Sequence, residues 1–173
     1  MIVSCGDLAG HGPRAISAAA VAVRAAARGA AVQVVGIVPD DPDGDRRLLD
    51  LAEAGVGHAA VLRGPARALE AADLDLALRY LPEVRVVVLV EPVAAVLDVA
   101  AGRAEWSGAA LLVVGGPEGP ALPDSAIVLQ PPRSDPDGTF AGFVGALAVH
   151  LDGGETPADA WAATTRELAV DPA

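Results

Sequence analysis

An aspartate and a histidine follow the first apolar run of the sequence. Asp7 comes directly after Ile2–Gly6, and His11 lies further on in the glycine-rich stretch Gly10–Pro13. Open α/β sheets bind ligands at the carboxyl ends of their strands. A carboxylate there accepts hydrogen bonds from hydroxyl groups, and an imidazole exchanges a proton near neutral pH. We therefore predict Asp7 and His11 as ligand-binding residues; the alternative is a strand-to-helix loop with a solvated histidine.

A second group of candidates surrounds the start of a predicted helix at Thr139. Asp135 and Asp137 lie in the turn that ends at Gly138, and Gly138 and Thr139 lead into the helix. The N–H groups of the first helical turn, together with the helix dipole, favour an anion. These residues are therefore candidates for a phosphate site. A cap formed by the carboxylate of Asp137 would use the same donors, and we expect the cap.

The sequence offers no pattern typical of a metal site. The acidic run Asp40–Asp45 lacks the sixth-position Gly and twelfth-position Glu that an EF-hand loop requires. His58 and His150 have no Cys or His beside them at ligand spacing. The single cysteine, Cys5, is expected to be a small buried apolar side chain.

The elements that position these candidates are apolar β-branched runs alternating with alanine-rich helical stretches. This alternation indicates βαβ units with right-handed crossovers and a mostly parallel sheet. The run Val84–Val90 is almost wholly apolar, as expected for a strand covered on both faces. Strands are predicted at Ile2–Cys5, Val32–Val38, His58–Leu62, Val84–Val90, Leu111–Val114 and Ala126–Gln130, and helices at Pro13–Arg28, Asp45–Ala54, Ala66–Tyr80, Pro92–Ala101, Thr139–Leu151 and Pro157–Ala169.

Length and composition limit the class of protein. The 173 residues fit a single domain over 1–173, and the net charge of −11 argues against a nucleic-acid or anionic-membrane partner. The chain has no lysine and no asparagine, which excludes Walker-A loops and Schiff-base chemistry. No apolar run reaches the roughly 18 residues of a membrane span. With a single cysteine and no signal-peptide pattern at the first residues, we expect a cytoplasmic location.

Three stretches in order resemble the ribokinase-like, PfkB-type carbohydrate kinases. The stretch from Arg28 to Val56 is similar to the family's helix ending in Gly-Ala, strand, Gly-Asp-Asp turn, helix and Gly-Val. Gly115–Gly119 resembles the family's Thr-x-Gly-x-x-Gly hairpin near the nucleotide site. Asp135–Leu147 resembles its Asp-Thr-x-Gly-Ala-Gly-Asp-x-Phe-x-Gly-Ala-Leu motif.

The resemblance implies an α/β fold, a three-layer αβα sandwich with a mostly parallel sheet, shortened and lacking the family's lid. It also implies a sugar or nucleotide ligand, with ATP and Mg²⁺ as cofactors only if the protein is active. It places Asp7 and His11 on the substrate side, and Gly116, Gly119, Gly138 and Thr139 on the nucleotide side.

The departures from the family pattern fall on the residues that carry its chemistry. Ala141 stands where the family has its catalytic aspartate, and general-base catalysis is typically worth about 10²–10⁴-fold. Phe140 replaces a glycine of the anion hole, and Val114 replaces the threonine of the hairpin. Val90 and Val93 occupy both chemical positions of the Asn-x-x-Glu motif that organises magnesium. Each change removes a polar or charged group, or crowds the space for a phosphate.

We therefore expect a catalytically degenerate relative, a pseudokinase that serves as a binding or assembly module, with no metal site of its own. A shortened sheet leaves apolar surface for a second copy, so we expect a homodimer. Two alternatives remain open. One is an active small-molecule kinase in which Asp137 or Asp135 replaces the lost base. The other is an unrelated flavodoxin-like or Rossmann-like binding domain.

Overall fold

A six-stranded sheet forms the centre of the molecule. The computed structural model describes residues 1–8, 16–65, 67–116 and 122–170. All adjacent strands are parallel, in the order β3-β2-β1-β4-β5-β6. This order is that of doubly wound sheets such as Rossmann folds and differs from the flavodoxin-like order 2-1-3-4-5. The strands are β1 Ile2–Gly6, β2 Val32–Val38, β3 Gly57–Arg63, β4 Val86–Val90, β5 Ala110–Val114 and β6 Ile127–Leu129.

Six helices in the described ranges cover the two faces of the sheet. They are α1 Ala18–Ala26, α2 Pro42–Glu53, α3 Ala71–Tyr80, α4 Ala94–Ser107, α5 Thr139–Asp152 and α6 Pro157–Val170. Helices α1 and α5 pack on one face, with side chains from α2 and α6, and helices α3 and α4 pack on the other. None of these helices has the length and apolar character that crossing a lipid bilayer requires.

The two hydrophobic cores follow directly from the side-chain alternation of the strands. In β4, Val86, Val88 and Val90 face the α1–α5 layer, whereas Val87 and Leu89 face the α3–α4 layer. All five are buried, which explains the continuous apolar run in the sequence. The predicted strand covered on both faces is confirmed.

Small side chains allow the helices of the first layer to approach each other closely. A Cβ added to Gly145 of α5 would lie 3.0 Å from the backbone nitrogen of Ala25 in α1. The alanine-rich composition of both helices therefore serves packing, as the scarcity of aromatic residues in the sequence indicates.

The ends of several helices differ from the sequence-based expectation. Helix α2 begins at Pro42 rather than Asp45, because the Asp41 carboxylate caps the N–H groups of Asp43 and Gly44 and Pro42 fits the first helical position. Helix α3 begins at Ala71 rather than Ala66, and α4 continues to Ser107 before Gly108 ends it in a left-handed conformation.

Candidate functional site

The largest cavity lies where the carboxyl ends of β1, β2 and β4 meet. The strand connections depart in opposite directions between β1 and β4, which is the position where open α/β sheets bind ligands. The cavity has a volume of about 590 Å³, within the usual range for a small-molecule site. Its charged lining consists of Asp7, Asp43, Glu91, Arg47 and Arg67.

The backbone at this edge has two unusual conformations. Gly6, at the end of β1, has a φ of 141°, and a Cβ there would lie 2.5 Å from the carbonyl oxygen of Val90. The residue after Val90, Glu91, has a φ of 48° without being a glycine. Left-handed non-glycine residues are uncommon and cluster at functional sites. The close approach of β1 to β4 thus directs the chain at Glu91 into the cavity lining.

The two arginines of this cavity differ in their partners. The Arg67 guanidinium lies 2.6 Å from Asp73 and 3.4 Å from Glu70. Its hydrogen bonds to Asp73 raise the pKa of Arg67, and the same contact, opposed by partial burial, lowers the pKa of Asp73. Arg47, on α2, is half-buried and makes neither a hydrogen bond nor an ion pair in the part of the chain that the structure describes. Arg67 is therefore committed to the chain itself, whereas Arg47 is available to a ligand.

Cys5 also lines this cavity, at the end of β1. The thiol is 1% exposed, and burial raises its pKa far above the ordinary value. A neutral, buried thiol is a poor nucleophile. The expectation that Cys5 is a small buried side chain is confirmed.

The start of α5 has a different character. Both carboxylate oxygens of Asp135 accept backbone hydrogen bonds, from Phe140 N–H at 3.0 Å and from Ala141 N–H at 2.9 Å. The capping carboxylate is thus that of Asp135 and not that of Asp137, which was the expectation. Asp137 instead contributes its carbonyl oxygen, which accepts a hydrogen bond from Arg24 at 3.0 Å. Two backbone donors at this helix start are already satisfied by the chain.

The side chain of Ala141 is part of the hydrophobic core. It is 2% exposed and belongs to the same cluster as Val144 and Leu147 of α5. Thr139 is exposed, and Gly138 precedes the helix with a φ of 67°. The helix start therefore presents a methyl group at position 141, with no ionisable side chain there.

A second, smaller cavity lies beside this helix start. It has a volume of about 360 Å³ and lies between α1, α2 and the first turn of α5. Gly138 and Ala141 line it together with Arg24, Arg47 and Asp50. Because Arg47 lines both cavities, the two form adjoining parts of one cleft over the carboxyl edge of the sheet.

The structure brings some of the predicted residues together and separates others. Asp7 lines the larger cavity, and Gly138 lines the smaller one. Gly116 follows β5, where a Cβ would lie 3.2 Å from the ring of Pro92, and it is outside the described lining of both cavities. His11 and Gly119 lie outside the described residues.

Sequence reasoning did not single out Glu91, Arg24 or Arg47. Glu91 had a usable signal, since an acidic residue directly after a buried strand occupies the same type of position as Asp7. The arginines had none, because exposed helices carry arginine for many reasons. No group of three or more His, Cys, Asp or Glu side chains able to hold a metal ion occurs within the described ranges.

Comparison with known proteins places the fold. The sequence matches no protein-family model and no curated protein. Among solved structures, the crystal structure of Sa239 has a TM-score of 0.63 at 13% identity, covering 87% of this chain and 80% of that chain. The fructokinase of Xylella fastidiosa, crystallised with bound ATP, has a TM-score of 0.59 at 15% identity, covering 99% of this chain and 87% of that chain.

The chain has a ribokinase-like fold. This confirms the predicted three-layer α/β architecture and the resemblance to the PfkB-type carbohydrate kinases in its architecture. At identities of 13% and 15% the likeness concerns the fold. The chemistry of a ribokinase-like chain has to be argued from its own residues.

Proposed function

We propose that this ribokinase-like chain is a small-molecule binding module that does not transfer phosphate. The observation that carries the proposal is the start of α5, where the Asp135 carboxylate occupies the N–H groups of Phe140 and Ala141. By the resemblance, these belong to the family's anion hole, and Ala141 stands at the position of its catalytic base. A negative charge already held there repels an incoming phosphate.

Phosphoryl transfer depends on positioning and on stabilising charge at the transferred group. Ala141 has no proton acceptor, and its methyl group is packed in the core with 2% exposure. The side chain of Phe140 also packs against that core. The residues at this helix start therefore do not fit a magnesium-bound nucleotide, because the backbone donors are taken and position 141 offers no carboxylate.

The cleft at the carboxyl ends of β1, β2 and β4 supports the binding half of the proposal. It retains the carboxylates of Asp7, Asp43 and Glu91 within a cavity of about 590 Å³. Carboxylate oxygens accept hydrogen bonds from the hydroxyl groups of a polyol. We infer that a sugar-like ligand binds here, as the fold's likeness to a fructokinase also suggests.

The test is incubation with magnesium ATP and a panel of sugars and nucleosides, followed by detection of ADP. We expect no turnover above the buffer rate, together with a rise in thermal stability with at least one sugar or sugar derivative, because any ligand of the native state stabilises it. Turnover that disappears in Asp137→Ala or Asp135→Ala would overturn the proposal. It would support the alternative of an active kinase with a rearranged site.

We also propose that the chain is a single domain in a reducing, cytoplasmic location and forms a homodimer. All described strands belong to one sheet, whose edges are β3 and β6. Leu62 of β3 is 36% exposed and Val128 of β6 is 49% exposed. Edge strands with apolar side chains favour pairing with another chain. Sedimentation at micromolar concentration tests this, and a monomer would contradict it.

A further inference from the structure

Arg47 occupies a position that the binding proposal does not explain. It lies on α2, lines both cavities of the cleft, and is half-buried. Elsewhere in the described chain, Arg63, Arg67 and Arg103 each pair with a carboxylate at 2.5–2.6 Å. Arg47 has no such partner, although the chain carries 23 acidic residues. A partly desolvated cation without a partner is unfavourable unless an anion binds to it.

Arg24 brings a second positive charge to the smaller cavity. It lies on α1, and one of its N–H groups binds the carbonyl oxygen of Asp137 at 3.0 Å. A guanidinium has five N–H donors, so this bond anchors the side chain and leaves further donors. The remaining charged residue in the described lining of this cavity is Asp50. The cavity therefore carries a net positive charge in a chain of net charge −11.

The two parts of the cleft thus differ in the ligand groups they favour. The larger part has the carboxylates of Asp7, Asp43 and Glu91, which accept hydrogen bonds from hydroxyl groups. The smaller part has two arginines on facing helices, and guanidinium groups bind phosphate through charge-assisted hydrogen bonds. A ligand that spans the cleft is therefore a polyol at one end and an anion at the other.

We propose that the cleft binds a sugar phosphate, with its phosphate group between Arg24 and Arg47 and its hydroxyl groups toward Asp7 and Glu91. This rests on the proposed function, because it takes the same cleft as the ligand site. It differs from the family's anion hole, since side-chain guanidinium groups on α1 and α2 hold the phosphate while the backbone donors of α5 remain bound to Asp135.

The experiment is calorimetric titration of the full chain with ribose 5-phosphate, fructose 6-phosphate, the two free sugars and inorganic phosphate. We expect at least one sugar phosphate to bind about tenfold more tightly than its free sugar and than inorganic phosphate. Affinity is expected to fall as salt rises, because the arginines are partly accessible to solvent.

The matched variants are Arg47→Gln and Arg46→Gln, which are neighbours on α2. Arg46 is exposed and lies outside the described lining of both cavities. We expect Arg47→Gln to weaken sugar-phosphate binding about tenfold and Arg46→Gln to change it by less than about twofold. Arg24→Gln, on a different helix, provides a second variant if Arg47→Gln lowers the thermal stability.

The outcomes separate this inference from the proposed function. Equal affinity for a sugar and its phosphate, equal effects of the Arg46 and Arg47 variants, or binding of the free sugars alone would overturn the sugar-phosphate inference and leave the binding module intact. Phosphate transfer from ATP would overturn the proposed function, while an Arg47-dependent preference for the phosphorylated sugar would still support the inference.

Discussion

The start of α5 and the cleft above β1, β2 and β4 lie next to each other but have opposite characters. At the start of α5, the chain satisfies its own donors through Asp135 and buries the methyl group of Ala141. In the cleft, Arg47 is left without a partner and Glu91 adopts an unfavourable φ. The first region has become part of the protein's stable interior, whereas the second retains features whose cost is offset only by a ligand.

This contrast indicates how a ribokinase-like fold can lose a reaction and keep a ligand. The chemical step depends on a few groups at one helix start, and apolar substitutions there cost the fold nothing. The cleft is formed by the ends of three parallel strands, so it persists as long as the sheet does. Four substitutions test the contrast, taken from the largest expected effect to the smallest.

Gly6→Ala tests the backbone that forms the cleft. A Cβ at this position would lie 2.5 Å from the Val90 carbonyl oxygen at a φ of 141°. We expect a loss of roughly 3–4 kcal/mol in the free energy of unfolding, measured by urea denaturation. Gly29→Ala is the control, because its φ is 85° but no atom lies within 4 Å of the added Cβ. It should cost roughly 1–2 kcal/mol, and equal losses would show that the β1–β4 contact is unimportant.

Ala141→Asp returns a carboxylate to the start of α5. Because position 141 is 2% exposed and lies in the core, we expect a loss of about 2–3 kcal/mol in the free energy of unfolding and no gain of phosphate transfer. Thr139→Asp places the same charge two residues earlier at an exposed position. That control should change stability by less than about 1 kcal/mol. Turnover in Ala141→Asp would instead mean that the rest of the reaction centre has survived.

Asp135→Ala removes the carboxylate that fills the backbone donors. Two hydrogen bonds, of 3.0 and 2.9 Å, are lost, and we expect a decrease of about 1–2 kcal/mol in the free energy of unfolding. The control is Asp137→Ala, whose carbonyl and not its carboxylate contacts Arg24. Its effect should stay within about 0.5 kcal/mol. A larger effect for Asp137 would restore the capping role that the sequence suggested.

Asp73→Asn tests the ion pair that keeps Arg67 away from the ligand. The hydrogen bond from Arg67 holds the pKa of Asp73 below its ordinary value, so this contribution to stability is present above the unfolded-state pKa of about 4. It is lost as the pH falls through the lower, folded-state pKa. We expect a small loss of thermal stability at pH 7 that disappears at the acid end of a melting series. A loss independent of pH would assign the effect to the capping bond from Glu70 instead.

Local sequence patterns predicted the secondary structure well where burial is regular. The strands β2, β4 and β5 lie within a few residues of their predicted bounds, because each alternates or repeats apolar side chains against a helix layer. Prediction was less accurate at α2, where an Asp-Pro-x-Gly turn and a capped helix start have the same residue preferences. The carboxylate at α5 was assigned to Asp137 because the hydrogen bonds from Phe140 and Ala141 to Asp135 span five and six residues.

The sequence by itself determined the parallel three-layer fold and the apolar replacement at position 141, since both depend on residue type and short-range periodicity. Only the tertiary structure decided that Arg24, Arg47 and Glu91 share one cleft with Asp7. Their convergence depends on how α1 and α2 cross the sheet and on where β1 and β4 end. Such distances are set by packing between segments that are remote in the chain, and no local pattern encodes them.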